Sequence, residues 1–210
     1  MTTEFIYDAV VVGGGPAGAT AAQTLAEKGK HVLLLDKRGR IKPCGGAIPP
    51  RLIKDFQIPD ELLVAKAKSA RMVSPLGKTV DIPIENGFVG MVDRAQFDEW
   101  LRKRAVAAGA VREDGLFETL QREGANVRIY YRTRGALDGD QGAVKSVLAK
   151  AVVGADGAKS QVGRSAGVKG CAEANYVFAY HEIIKTPTDK PLSFDATRCD
   201  VLYQKPVSPD

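Results

Sequence analysis

Three stretches carry residues that can do chemistry, and the first is Gly13-x-Gly15-x-x-Gly18 within GGGPAG. Alone, this glycine spacing is common. Here an apolar run, YDAVVV, precedes it, the helix-forming stretch ATAAQTLAEKG follows, and HVLLLD then ends on Asp36. A strand, a glycine turn, a helix and a second strand closing on an acid form the context that a dinucleotide site requires. Gly13 permits the tight turn, Gly15 lets backbone approach a pyrophosphate, and Gly18 lets helix and strand pack closely. Pro16 and Ala17 open the helix, whose first N–H groups and positive partial charge suit phosphates. Asp36 is placed to accept hydrogen bonds from an adenosine ribose.

The second stretch is VVGADGAKSQVGR, residues 152–164. A buried strand runs into Asp156–Gly157, and Ser160 and Arg164 fall on the helix that follows. An acid at the C-terminal end of a strand lies where open α/β sheets bind ligands. Asp156 then serves either a bound dinucleotide's oxygens, directly or through water, or the helix as its N-cap. The third stretch is IKPCGGAIPP, residues 41–50. Proline lacks an N–H and glycine costs backbone entropy, so this composition predicts a shaped loop around Cys44, Gly45 and Gly46. Lys37, Arg38, Arg40 and Lys42 lead into it, either to neutralise a phosphate or as a solvated charged loop.

The elements that must position these residues begin with a βαβ unit over residues 7–36, its helix stopping at Gly29. Residues 51–56 suit a short helix. Residues 70–84 read as a hairpin turning at Pro75–Leu76–Gly77. The helix over 93–108 has Asp93 as its cap, Gln96 in a box-like position and Gly109 at its end. Phe97, Trp100, Leu101, Ala105 and Ala108 share its apolar face, so Trp100 is expected in the core. A meander of LFETLQ, VRIYYR and VKSVLA follows, then a separate strand AVVG. YVFAYHEII and DVLYQK read as strands of another, antiparallel sheet.

The composition excludes several classes. Lysines and arginines give a formal charge of +5 but are interspersed with acids, so no nucleic-acid partner is expected. No run approaches the roughly 18 apolar residues of a spanning helix. MTTEF supplies an acid where a secretion signal has a basic region, so a cytoplasmic location is expected. Cys44, Cys171 and Cys199 stand without pairing or ligand spacing, which argues against a disulfide framework or a metal site. His31 and His181 read as structural.

The two fingerprints together resemble the flavoprotein class of p-hydroxybenzoate hydroxylase. GRIKPCGGAIPPRLI, IPIENGFVGMVDRAQFDEWLR and YQKPVSPD are similar to geranylgeranyl reductases of bacteriochlorophyll and chlorophyll biosynthesis. That resemblance spans nearly the whole chain and is least over residues 109–150. It implies an α/β fold with a Rossmann-like FAD-binding domain over residues 1–170. Residues 70–92 would lend strands to a substrate domain, and residues 171–210 would open that domain's antiparallel sheet.

The resemblance also implies an FAD enzyme that takes hydride from NADPH and saturates three double bonds of a geranylgeranyl chain. The chain would be held on a chlorophyll-type pigment or as the diphosphate, with peripheral contact to a photosynthetic membrane. A reductase of isoprenoid lipids and a non-catalytic FAD-binding fragment are the alternatives. Position by position, Gly13, Gly15, Gly18 and Asp36 match the ADP-binding part. Arg94 matches an arginine on the flavin side, and Asp156 and Gly157 match an element near the flavin phosphates. The PCGGAI segment would cross the flavin's edge, with Gly45 and Gly46 letting backbone come close. Cys44 is the candidate catalytic residue, as proton donor to the alkene or, because a thiol with a pKa of about 8.5 is a poor acid for that step, as a group that shapes the pocket or simply packs. Members of that family are longer, so this sequence is expected as their N-terminal part, with the strands beyond Asn175 left with unpaired edges.

Overall fold

The computed structural model describes residues 4–37, 44, 46–134, 141–171, 173, 180, 182, 189 and 195–204. The chain divides into two compact units, one of Met1–Ile41 with Asp98–Phe178, the other of Lys42–Phe97 with Ala179–Asp210. In chain order the first unit opens with β1 (Ile6–Val12), α1 (Pro16–Glu27) and β2 (Val32–Asp36). The second contributes β3 (Ala47–Ile48), α2 (Pro50–Asp55), a short 3-10 turn at Asp60–Leu62, β4 (Leu63–Ala67), β5 (Ser69–Val73), β6 (Thr79–Pro83) and β7 (Val89–Val92). After α3 (Arg94–Ala107) come β8 (Val111–Glu123), β9 (Asn126–Arg134), β10 (Gln141–Gly154) and α4 (Gln161–Ser165), and finally β11 (Arg198–Leu202) in the second unit.

In the first unit β1 lies parallel between β2 and β10, and β2 pairs in parallel with the start of β8. β8 and β10 run 13 and 14 residues, long enough for their other ends to pair antiparallel with β9. The five strands thus close on themselves in the order β1–β10–β9–β8–β2. The sequence suggests two strands where β10 is one. VKSVLAKAVV contains no glycine or proline to break it, and Leu148 pairs with β9 and β1 at once.

Alternation along β1 and β2 divides the core in two. Val10, Val12, Leu33 and Leu35 pack on Phe117, Ile129, Tyr131 and Ala149 of the meander strands. Val11, Val32 and Leu34 face the other way, onto Ala22 and Ala26 of α1 and Ala105 of α3. Strands buried on both faces read as unbroken apolar runs, which is why the sequence shows VVV and LLL instead of alternation. Each such side chain contributes about 1.5–3 kcal/mol by leaving water. Asp8 ties β1 to both of its neighbours, accepting the His31 amide at 2.9 Å just before β2 and Lys150 Nζ of β10 at 2.7 Å. Those bonds, led by the one from Lys150, lower its pKa to about 2.

Two sheets build the second unit. In one, β7 pairs antiparallel with β3 and β4. The two-residue β3 lies inside the segment expected to be loop, and Pro50 follows as the first residue of α2, where a missing N–H costs nothing. In the other, β5 and β6 form the expected hairpin, with the Gly77 amide donating to the Ser74 carbonyl at 2.9 Å. β11 joins β5 in parallel, so this sheet is mixed where the sequence suggests antiparallel strands. β11 arrives after a long connection, and a long crossover permits parallel entry. Of YVFAYHEII, only Tyr180 and Glu182 are among the described residues. Trp100 is half-buried, with the Arg104 guanidinium 4.7 Å from its ring centre, and so is not the core residue expected.

Candidate functional site

The glycine turn is laid between strand ends. Gly13 donates its amide to the Leu35 carbonyl at 2.8 Å, and Ala155 donates to the Val12 carbonyl at 2.8 Å. Gly13 sits at φ +106°, and a Cβ there would strike the Ala155 carbonyl. A Cβ on Gly18 would strike the carbonyl of Gly13, so α1 rests on the turn with no side chain between them. The two fingerprints of the sequence are therefore in contact, at the C-terminal ends of the adjacent parallel strands β1 and β10.

Gly15 is the N-cap of α1 and Pro16 follows it. No side chain caps this end and its first turn holds no acid. The first helical bond runs from the Ala19 amide to the Gly15 carbonyl, 2.9 Å. The amides of Ala17 and Gly18 are thus orphan donors of a helix start, at its positive end. That arrangement fits a pyrophosphate.

Asp36, at the end of β2, lies against this turn. Its Oδ1 accepts the Gly14 amide at 2.8 Å, and its Oδ2 accepts Arg102 Nη1 at 3.2 Å. Arg102 Nη1 also donates to the Gly14 carbonyl at 3.0 Å, and its Nε donates to Glu99 at 3.0 Å. Glu99 in turn accepts Arg112 at 2.8 Å. The Arg112 guanidinium, aided by Arg102, holds the Glu99 carboxyl below the usual carboxylate range. A carboxylate offers about four acceptor positions, so Asp36 keeps capacity for ribose hydroxyls. Arg102, Glu99 and Arg112 are the residues that sequence reading missed.

Asp156 is engaged differently. Ser160 Oγ donates to it at 2.6 Å, and the amides of Gln161 and Val162 donate at 2.6 and 3.1 Å. Ser160, the N-cap residue of α4, also accepts the Gly163 amide at 2.9 Å. Burial pushes the Asp156 carboxyl up, but these bonds outweigh it and leave it below its ordinary value. The N-cap position expected of Asp156 belongs to Ser160, and Asp156 supports that cap from outside the helix through the Ser160 hydroxyl and the Gln161 and Val162 amides. The start of α4 is closed by side chains while that of α1 is open. Gly157 follows with φ +90°.

The remaining expected site residues lie as follows. Lys37 is exposed at the end of β2. Cys44 is an exposed cysteine of the second unit, and Gly45 lies outside the described residues. Gly46 is buried, and its carbonyl accepts the Val92 amide at 2.9 Å. Arg94 is the half-buried first residue of α3, next to Asp93, whose carboxylate takes the Ala95 amide at 2.8 Å. His31 stacks edge-on to Phe5 at 5.6 Å. Among the described residues no cluster of three His, Cys, Asp or Glu side chains is arranged to hold a metal ion.

An open helix start, a turn with no room for side chains and an oriented acid are the features that the ADP half of a dinucleotide requires. Residues 6–204 match the FAD binding domain family. The chain belongs to that family. This FAD binding domain is 55% identical over 204 residues to a geranylgeranyl diphosphate reductase of Rhodobacter capsulatus, covering 97% of this chain and 50% of the relative. It is 36% identical to the chloroplastic geranylgeranyl diphosphate reductase of Oryza sativa subsp. japonica, covering 95% of this chain and 44% of that one. A geranylgeranyl bacteriochlorophyll reductase-like protein of Thermoplasma acidophilum superposes with a TM-score of 0.75 at 25% identity, covering 95% and 51% of the two chains. Reductases of isoprenoid lipids are more distant relatives. The FAD binding domain described here spans about half the length of these relatives.

Proposed function

We propose that this chain is the FAD-holding part of a geranylgeranyl reductase, which saturates three double bonds of a prenyl chain with hydride from NADPH. The observation that carries the cofactor is the open start of α1 beside Asp36, and 55% identity to a geranylgeranyl diphosphate reductase supports the substrate class. In this reading the Ala17 and Gly18 amides bind the pyrophosphate, and Asp36 accepts from the ribose. Gly13 and Gly18 keep side chains out of the cradle. Asp156 and Gly157 shape its wall through the turn before α4. When bound, FAD supplies a ring able to take up hydride and deliver it to an alkene. Lys37, Cys44, Gly45, Gly46 and Arg94 enter the reading on the resemblance alone, Cys44 as a pocket-shaping residue.

The prenyl group is carried on a chlorophyll-type pigment or as the diphosphate. Residues 1–170 are assigned to FAD, with residues 70–92 lending strands to a substrate domain that residues 171–210 begin. A cytoplasmic protein touching a photosynthetic membrane at its surface suits such a substrate. No helix among the described residues is long and apolar enough to cross a membrane.

A second reading, an FAD-binding piece that performs no reduction by itself, is supported by the family match, which is to an FAD binding domain over residues 6–204. One cuvette separates the two. A flavin spectrum on the purified chain that bleaches on anaerobic NADPH addition, followed by saturation of geranylgeranyl diphosphate, supports the reductase. A spectrum that NADPH leaves unchanged supports the binding piece. A colourless chain that takes up no added FAD removes both. Faster turnover of an isoprenoid glycerolipid than of the diphosphate would move the substrate to the lipid class.

A further inference from the structure

We propose that Arg102 is a positioning residue for the adenosine end of the FAD site, fixing Asp36 and the glycine turn in the geometry that receives the ribose hydroxyls. The proposal rests on the FAD reading of this turn. Four groups form a closed circuit: the Gly14 amide donates to Asp36, Arg102 donates to Asp36, and the same Arg102 nitrogen donates to the Gly14 carbonyl. The turn and the acid are thereby locked as one piece. They lie 22 residues apart in sequence, and Arg102 reaches them from 88 and 66 residues away.

The geometry is tight and shielded. A Cβ on Gly14 would lie 2.5 Å from Asp36 Oδ2, so the carboxylate is flush with the turn backbone. The Arg102 and Asp36 side chains are only 17% and 18% exposed, which makes their bond stronger than that of a surface pair. Glu99 takes the Arg102 Nε, and Arg112 holds Glu99, so the guanidinium is itself aimed. Two consequences follow for a bound dinucleotide. Without Arg102 the Asp36 carboxylate loses one of its two donors and is free to turn. It also loses the nearest balancing charge, and a bare carboxylate beside a pyrophosphate cradle repels the ligand.

Calorimetric titration of the 210-residue chain with FAD, ADP and 2′-deoxy-ADP tests this. Arg102→Met is expected to weaken FAD and ADP about ten- to a hundredfold, the scale of a lost charge-assisted hydrogen bond. It should weaken 2′-deoxy-ADP less, because the ribose contact is what goes, a selectivity that a general loss of stability does not produce. Arg102→Lys should recover part of the affinity, since a lysine restores charge but not the two-way bridge. In an Asp36→Asn background, Arg102→Met should cost little more.

Parent-like binding by Arg102→Met, or an equal loss for ADP and 2′-deoxy-ADP, overturns the proposal. If Arg102→Met does not fold, Glu99→Gln must show the same selective loss at smaller size, and an unchanged preference for ADP overturns it. A parent chain that binds neither FAD nor ADP overturns the FAD reading, and this proposal with it.

Discussion

In the proposed reading, single side chains at the strand ends decide whether the nucleotide is held. Gly18→Ala puts a methyl into the Gly13 carbonyl, so the helix must lift off the turn. The expected outcome is loss of FAD uptake from a chain that still shows its secondary structure, read by flavin absorbance after gel filtration and by circular dichroism. Asp8 sets an acid limit. Its folded pKa, about 2, lies below the ordinary carboxylate value of 3.8, so its contribution is present above pH 3.8 and fades as pH falls toward 2. Asp8→Asn should therefore be less stable than the parent at neutral pH, with the difference shrinking across that window in denaturant titrations at stepped pH. The fingerprint glycines and Asp36 were legible because their spacing is local. Arg102 was not, because nothing near it in sequence marks a residue whose partners lie 66 and 88 positions away.

Elements obey the same division between local and distant. The βαβ unit and the hairpin at residue 77 follow from runs and turns a few residues long, and both stand where the sequence places them. The direction of β11 and the continuity of β10 depend on partners, and no local pattern encodes a partner. β3 escaped notice because two residues among prolines and glycines give no periodicity, and only β7 makes them a strand. Leu34 of β2 is fully buried against α1 and α3. Leu34→Ala should cost about 2–5 kcal/mol in chemical denaturation. α4 has only five residues and relies on its capping groups. Asp156→Ala is expected to cost about 1 kcal/mol, and to raise proteolytic cleavage near residue 160 without abolishing FAD uptake.

At the scale of the molecule, ligand and fold are linked. FAD at about a hundred times its Kd should add about 2.7 kcal/mol to stability, visible as a higher melting temperature. Hydrogen exchange should slow chiefly in β1, β2 and α1, with β5 and β6 little changed, and uniform slowing would argue against a cradle confined to the glycine turn. The closed ring of strands has a consequence for the order of assembly. Ile6 pairs with Leu148, and the turn after β1 rests on Ala155. On a ribosome adding about 5–20 residues per second, β1 gains β2 at once but waits on the order of ten seconds for its other neighbour, β10, to be made. The glycine turn is thus made well before the strand that completes it, and in the proposed reading a nascent chain stopped before β10 holds the α1 start and Asp36 without the Ala155 wall on which the turn rests.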